Sequence, residues 1–475
     1  MVFSSTEFIF FFFPLITVLY KLIGIRKKAN PERIIKIKNY LLLLASLAFY
    51  TYGEPKFVFI MILLVIINWG LALLIEKSEQ FAINLQWIRN AFFLLAIIAN
   101  LSVLFFYKYL GFTSDILKKI TGIDFGATDI VLPIGISFFT FQILSYTADV
   151  YMKKVSAQHN VLYVMLYVSF FPQLIAGPIV RYNQIEAQIL KRNESFDNFA
   201  YGMQRFIYGL AKKVLIADYL GKIATNHFDY LSDFSVVMAW IGALAYTFQI
   251  YFDFSGYSDM AIGLGKIFGF SFEENFNYPY ISKSITEFWR RWHISLSQWF
   301  RDYVYIPLGG NRTSKKRWIF NLFIVWLLTG IWHGANWTFI IWGLLYFILL
   351  LVEKLTGLQN KLGVFGYLYC LLFVIIEWVI FRAKSVGSAL HYLGCMFGIS
   401  ATGFCDGATI FVIEGTWFVF LLAFVGCTPL IKNLWKWLSK YNLGWLESLW
   451  VMFIFVLSIL HVVGSTYNPF IYFNF

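Results

Sequence analysis

Two of the six histidines occupy positions that a chain this apolar has reason to avoid. His333 stands in "TGIWHGANW", and His293 in "TEFWRRWHISLSQWF". A neutral imidazole takes up and returns a proton near physiological pH, which is the property a general base needs. Gly330 and Gly334 bracket His333 as G-x-x-x-G, a spacing that lets membrane helices approach closely, so the ring is expected to face protein or a cavity and not lipid. Asn336 is placed to cap the helix that resumes at Trp337, whose unpaired N–H groups would then face a nearby developing oxyanion. At 100° per residue, Ile285, Phe288, Trp289, Trp292, Leu296, Trp299 and Phe300 share one face. Thr286, Arg290, His293 and Ser297 form a polar stripe beside it, continued by Arg301, which predicts one amphipathic helix with His293 at the polar–apolar border. Glu287 precedes Arg290 and Arg291 by three and four residues, the spacing of local ion pairs. The plainer alternatives are a packed structural histidine at 333 and an interfacial, tryptophan-anchored helix around 293.

The remaining histidines, His159, His227, His391 and His461, lie in or beside loops or at a span end and are read as ordinary satisfied side chains. No H-E-x-x-H, G-x-S-x-G or H-x-x-x-x-D occurs, which disfavours zinc proteases, α/β-hydrolases and the soluble glycerolipid acyltransferases. Cys370, Cys395, Cys405 and Cys427 fall in the last quarter without a C-x-x-C pair; packing is their expected role, and no metal site is expected. "YFDFSGYSDMAIGLG" sets Asp253 and Asp259 among apolar and small residues, where a carboxylate needs a partner.

The elements that carry these residues follow from composition. The chain has 475 residues, 59% of them hydrophobic and only 13% charged, against about 25% charged in soluble domains. Apolar runs long enough for a hydrocarbon core about 30 Å thick recur throughout, so the chain is read as an all-α integral membrane protein with roughly 10–12 crossings. The net charge of +12 gathers in short connecting segments, "IRKKANPERIIKIK", "RTSKKR" and "KNLWKWLSK". That is the pattern of cytoplasmic loops, and no nucleic-acid partner is expected. The first apolar run precedes the first basic segment, so a retained first helix with its N-terminus outside is expected. Three stretches do not read as plain spans: "VSFFPQLIAGPIVRY", the Asp253–Asp259 stretch, and Trp318–Val352, interrupted at "TGIWHGANW". Irregular backbone and charge at membrane depth belong where protein or a cavity satisfies them. One membrane domain is expected over 1–475, with N-terminal helices to about 125, a core over about 130–355 and C-terminal helices over about 360–475.

The stretches "YFDFSGYSDMAIGLG", "SITEFWRRWHISLS", "RDYVYIPLGGNR" and "WHGANW" closely resemble the membrane-bound O-acyltransferase family. Within it they resemble the branch of alginate O-acetyltransferase membrane subunits and peptidoglycan-acetylating relatives. The resemblance runs from "MVFSS" through "VLPIGISFFTFQ" and "FPQLIAGPIVRY" to "NPFIYFNF", nearly the whole chain. It implies a helical ring with re-entrant or interfacial helices around a tunnel. It implies that His333 matches the family histidine of the W-H-G context, and His293 the one of the R-R-W-H-I-S context. The implied activity is transfer of an acetyl group from a cytoplasmic thioester, acetyl-CoA by expectation, across the bacterial inner membrane. The acceptor is an extracytoplasmic envelope polysaccharide, alginate-like or peptidoglycan, reached with a partner acetyltransferase. His333 is the expected base, and His293 orients the donor or assists proton transfer. Asp253, Arg290 and Arg291 are expected to hold the arrangement through buried pairs, with Asn336 as the cap. Two alternatives stay open here: a D-alanyl transferase of the teichoic-acid type, and a transporter or flippase without covalent chemistry.

Overall fold

The computed structural model describes residues 1–24, 30–80, 86–124, 126, 130–230 and 234–465, which are built of helices, turns and loops without a strand. The terminal "NPFIYFNF" and the start of the first basic segment lie outside the described residues. In chain order the α-helices are α1 (Phe13–Gly24), α2 (Pro31–Gly53), α3 (Val58–Lys77), α4 (Gln86–Leu104), α5 (Leu110–Thr121), α6 (Ile136–Tyr151), α7 (Val161–Ser169), α8 (Tyr182–Leu190), α9 (Phe196–Ala211) and α10 (Asp218–Thr225). They continue with α11 (Val236–Ile267), α12 (Ile285–Arg291), α13 (Ile294–Phe300), α14 (Lys315–His333), α15 (Trp337–Thr356) and α16 (Leu358–Lys361). The last five are α17 (Phe365–Arg382), α18 (Val386–Met396), α19 (Gly407–Gly426), α20 (Leu430–Ser439) and α21 (Trp445–Gly464).

Eight helical stretches among the described residues are long and apolar enough to cross a membrane: α2, α3, the continuous Gln86–Thr121, α11, α15, α17, α19 and α21. The sequence predicts roughly 10–12 crossings. The difference lies in segments that are apolar yet short or broken, such as Phe8–Gly24, α6 and α7. Several helix starts carry side-chain caps. Asn30 accepts from Glu32 N at 2.9 Å ahead of Pro31, Asn160 from Leu162 N at 3.0 Å, and Asp406 from Thr409 N at 2.7 Å; each oxygen takes one of the N–H groups a helix leaves unpaired at its first turn.

The chain divides into two compact units. The first comprises Met1–Phe206 and Ser258–Glu273. Here the predicted break after α7 is present: Phe170 to Arg181 is not helical and is almost wholly buried. Several of its backbone groups find protein partners, as irregular backbone away from water requires. Phe171 N donates to Ser46 Oγ at 3.1 Å, and Tyr167 OH donates to Val180 O at 2.9 Å. Arg205 Nε donates to Asp259 Oδ1 at 2.8 Å, which gives that buried carboxylate its cation.

The second unit comprises Ile207–Tyr257 and Glu274–Phe475. The long run from Trp318 to Val352 is indeed two helices, α14 and α15, which turn back at Gly334–Asn336 and pack along each other. Gly330 and Gly343 make that approach feasible. A Cβ on Gly330 would sit 2.5 Å from Phe339 O, and one on Gly343 would sit 2.5 Å from Trp326 O. Both obstacles are backbone and cannot swing aside.

Gly330→Val and Gly343→Val are therefore expected to lower the thermal unfolding midpoint of detergent-solubilised protein, each costing about 1–3 kcal/mol by overpacking. Gly415→Val on α19, where an added Cβ meets nothing within 4 Å, is the control. Equal midpoints for all three would sink the argument.

Candidate functional site

The predicted helix over 285–301 is broken, and the break is what positions His293. Helix α12 ends at Arg291, α13 begins at Ile294, and His293 stands between them with φ +42° and ψ +54°. A non-glycine residue in this left-handed region is strained and persists where its surroundings over-determine it. The surroundings are the segment Asn275–Asn277. Ile294 N donates to Asn275 O at 3.0 Å and Asn277 N donates to Arg291 O at 2.9 Å, so this segment takes up backbone groups that a continuous helix would have paired internally. The apolar face is buried throughout, with Ile285, Phe288, Trp292 and Leu296 each at most 2% exposed. It faces protein, not an interface.

Asn275 also settles the chemistry of the ring. Its Oδ1 accepts from Ser295 N at 3.2 Å and from Ser295 Oγ at 2.9 Å, which identifies that atom as the amide oxygen. The same oxygen lies 3.2 Å from His293 Nδ1, so Nδ1 carries the hydrogen. Nε2 is then a bare lone pair, and it has no hydrogen-bond partner among the described residues. The ring is fully buried and set edge-on to Phe254, with centroids 4.7 Å apart. Burial pushes its pKa down to about 3, so it is a neutral acceptor at physiological pH.

His333 is the last residue of α14, 5% exposed. Its ring packs edge-on against Trp342 at 4.9 Å and Phe381 at 5.2 Å. Trp332 joins the two histidines: its ring lies 4.9 Å from that of His333 and 6.1 Å from that of His293. Both imidazoles therefore sit in one aromatic cluster, which continues through Trp289, Trp292, Tyr346 and Trp378. Asn336 caps α15 as predicted, its Oδ1 accepting from Thr338 N at 3.2 Å, while its Nδ2 donates to Lys384 O at 3.0 Å.

Of the charged residues expected in buried pairs, Asp253 is in one, while Arg290 and Arg291 are placed otherwise. Asp253 on α11 is 1% exposed and pairs with Lys213 Nζ at 2.7 Å. Lys213 also reaches Asp218 at 2.6 Å, so one buried ammonium is shared by two buried carboxylates. The arginines form no buried pair among these contacts: Arg290 is exposed, and Arg291 binds Glu287 on its own helix at 2.8 Å and Asn277 O at 3.1 Å. The buried anion that does organise α12 is Glu353 of α15. Its carboxylate accepts from Ile285 N at 2.6 Å, Thr286 N at 2.9 Å and Thr286 Oγ1 at 2.6 Å, at the helix end that favours negative charge.

Sequence reading missed Asn275, Glu353 and Lys213. A lysine inside the apolar "LAKKVLIADYLG", five residues before Asp218, was a legible signal. Asn275 in "EENFNYP" carries none, because its role exists only once it meets His293 and Ser295. No group of three or more His, Cys, Asp or Glu that could hold a metal occurs among the described residues. An aromatic cluster with a bare imidazole nitrogen and a second buried imidazole fits proton transfer to and from an oxygen or sulfur shielded from bulk water.

Residues 42–390 match the membrane-bound O-acyltransferase family. The chain is 44% identical over 405 residues to the probable alginate O-acetylase AlgI of Pseudomonas aeruginosa, covering 84% of this chain and 75% of that protein. It is 39% identical to the protein of the same name from Pseudomonas putida, over the full length of both chains. The peptidoglycan O-acetyltransferase of Helicobacter pylori is 34% identical over 526 residues, covering all of this chain and 98% of that one.

Lys213→Met removes the buried ammonium that Asp218 and Asp253 share, and is expected to cost about 3–5 kcal/mol. The checking measurement is the unfolding midpoint in detergent, beside a Lys213→Met/Asp218→Asn/Asp253→Asn variant that removes all three charges. The triple variant should unfold at the higher temperature. A single Lys213→Met that matches wild type would overturn the account of this network.

Proposed function

Because the chain belongs to the membrane-bound O-acyltransferase family and is thus a multi-pass membrane acyltransferase, we propose that it O-acetylates a bacterial cell-envelope polysaccharide from a thioester donor. The support for acetyl and for an envelope acceptor is the likeness to proteins named alginate O-acetylase and peptidoglycan O-acetyltransferase. The observation that carries the reading of the site is that one indole, Trp332, packs against two buried imidazoles.

In this reading the acceptor hydroxyl gives its proton to His333 as its oxygen attacks the thioester carbonyl carbon. The tetrahedral oxyanion collapses, the C–S bond breaks, and the leaving thiolate takes the proton from the imidazolium. Thioester and alcohol thus become ester and thiol with no net change in protons. His293, holding its Nδ1 hydrogen on Asn275, offers Nε2 to orient a donor or acceptor N–H or O–H. The aromatic walls exclude water, which would otherwise take the acyl group. Acetyl-CoA on the cytoplasmic side is the donor in this proposal. The location is the bacterial inner membrane, and a partner acetyltransferase outside receives or delivers the group.

His333→Ala is expected to lower acetyl transfer by about 10²–10⁴-fold, the usual contribution of a positioned base. The readout is acetyl ester released by mild alkali from envelope fractions at matched membrane abundance. The fraction that loses it identifies the acceptor. If His333→Ala and His293→Ala both keep full acetylation, the site is wrong and transport without covalent chemistry becomes the better reading.

Asn275→Ala removes a hydrogen bond worth about 1 kcal/mol and the tautomer it selects, so transfer should fall by roughly fivefold to tenfold. In a His293→Ala background the same substitution should cost nothing further. Additive losses in the double variant would mean that Asn275 acts elsewhere.

A further inference from the structure

A two-carbon acetyl group leaves one large feature of the second unit unexplained. A cavity of about 720 Å³ lies among α11, Tyr280–Ile281, α17 and α19, close to the aromatic cluster but lined almost wholly by hydrocarbon. Its deep hydroxyl and thiol groups are already engaged. Thr247 Oγ1 donates to Ala243 O at 2.8 Å, Tyr280 OH to Thr247 O at 2.5 Å, Thr416 Oγ1 to Val412 O at 2.6 Å, Thr428 Oγ1 to Val425 O at 2.7 Å, and Cys427 Sγ to Phe424 O at 3.1 Å. Water needs two or more polar partners to stay in a buried site, and these groups have spent their donors on backbone. An apolar space of this size left unfilled forfeits the dispersion contacts of its whole lining.

The mouth identifies the filler. Leu368 on α17 is 68% exposed, and Trp417 and Phe424 on α19 are 59% and 60% exposed. Both helices are long and apolar enough to span a membrane, so the opening faces the hydrocarbon of the bilayer. Lipid chains are the medium there, and the volume lies within the range of small-ligand pockets, about 300–1,000 Å³.

We propose that this cavity binds one acyl chain of a bilayer phospholipid, whose headgroup stays outside at the mouth. The inner wall is shared with the candidate site. The Tyr280 ring lines the cavity and packs on Tyr251 at 5.3 Å and on Trp292, the neighbour of His293, at 6.1 Å. A seated chain therefore presses Tyr280 against the cluster that holds His293.

The test uses the full chain in nanodiscs containing a phospholipid with a diazirine in one acyl chain. After photolysis, adducts are mapped by peptide mass spectrometry. Peptides carrying Leu244, Phe248 and Phe420 should be labelled at least fivefold above those of α21, an exposed spanning helix that does not line this cavity. Leu244→Trp, which narrows the cavity, should lower the excess while α21 labelling stays unchanged. Phe420→Trp serves the same purpose if Leu244→Trp does not elute as a monodisperse species. Even labelling of all exposed spans, or an excess that is unchanged in a folded narrowed variant, overturns the proposal.

Discussion

Hydrocarbon offers no hydrogen bonds, and this one property of the solvent accounts for most of the structure. Every polar group carried into the membrane zone must find its partner in the protein. The non-helical Phe170–Arg181 segment is held by Ser46 and Tyr167. Asp253 and Asp218 share Lys213, and Glu353 takes up the N–H groups at the start of α12. Each arrangement ties together stretches far apart in sequence, so the constraint that makes polarity costly also makes it a source of tertiary order.

The same rule operates at the candidate site. Asn275 Oδ1 receives three donors, two from Ser295 and one from His293. The Ser295 bonds hold the amide in place, and the amide then holds the imidazole with Nε2 bare. The left-handed backbone at His293 is sustained by the flanking bonds of Ile294 and Asn277. A strained residue, a chosen tautomer and an acceptor nitrogen without a partner among the described residues coincide in one place, as is common where strain and chemistry are coupled.

Aromatic packing gives the site its walls. Trp332 touches both imidazoles, and Trp342 and Phe381 close around His333. Rings that meet edge to face pack densely without polar atoms, which suits an acyl transfer that must exclude water. Close helix approach at Gly330 and Gly343 sets α14 against α15, and so sets His333 against Trp342.

Much of this is legible in the sequence alone. The membrane class, the breaks after α7 and at His333, the cap at Asn336 and the pairing of Glu287 with Arg291 all rest on local rules: hydrophobic run length, helix-breaking residues, capping chemistry and i,i+4 spacing. So did the choice of His293 and His333 as candidates, since an ionisable group in an apolar context stands out in one dimension. Periodicity failed at residues 285–301, because a helical wheel assumes an unbroken helix and cannot register a competing strand of backbone eighteen residues upstream. The same blindness placed Arg290 and Arg291 in buried pairs and overlooked Asn275, Glu353 and Lys213 as their replacements. Their roles consist of partners 18, 68 and 40 residues away, at His293, Ile285 and Asp253. Composition and spacing decide which residues are costly to bury; only the folded chain decides which partner makes each burial tolerable, because partner choice depends on distances that sequence separation does not encode.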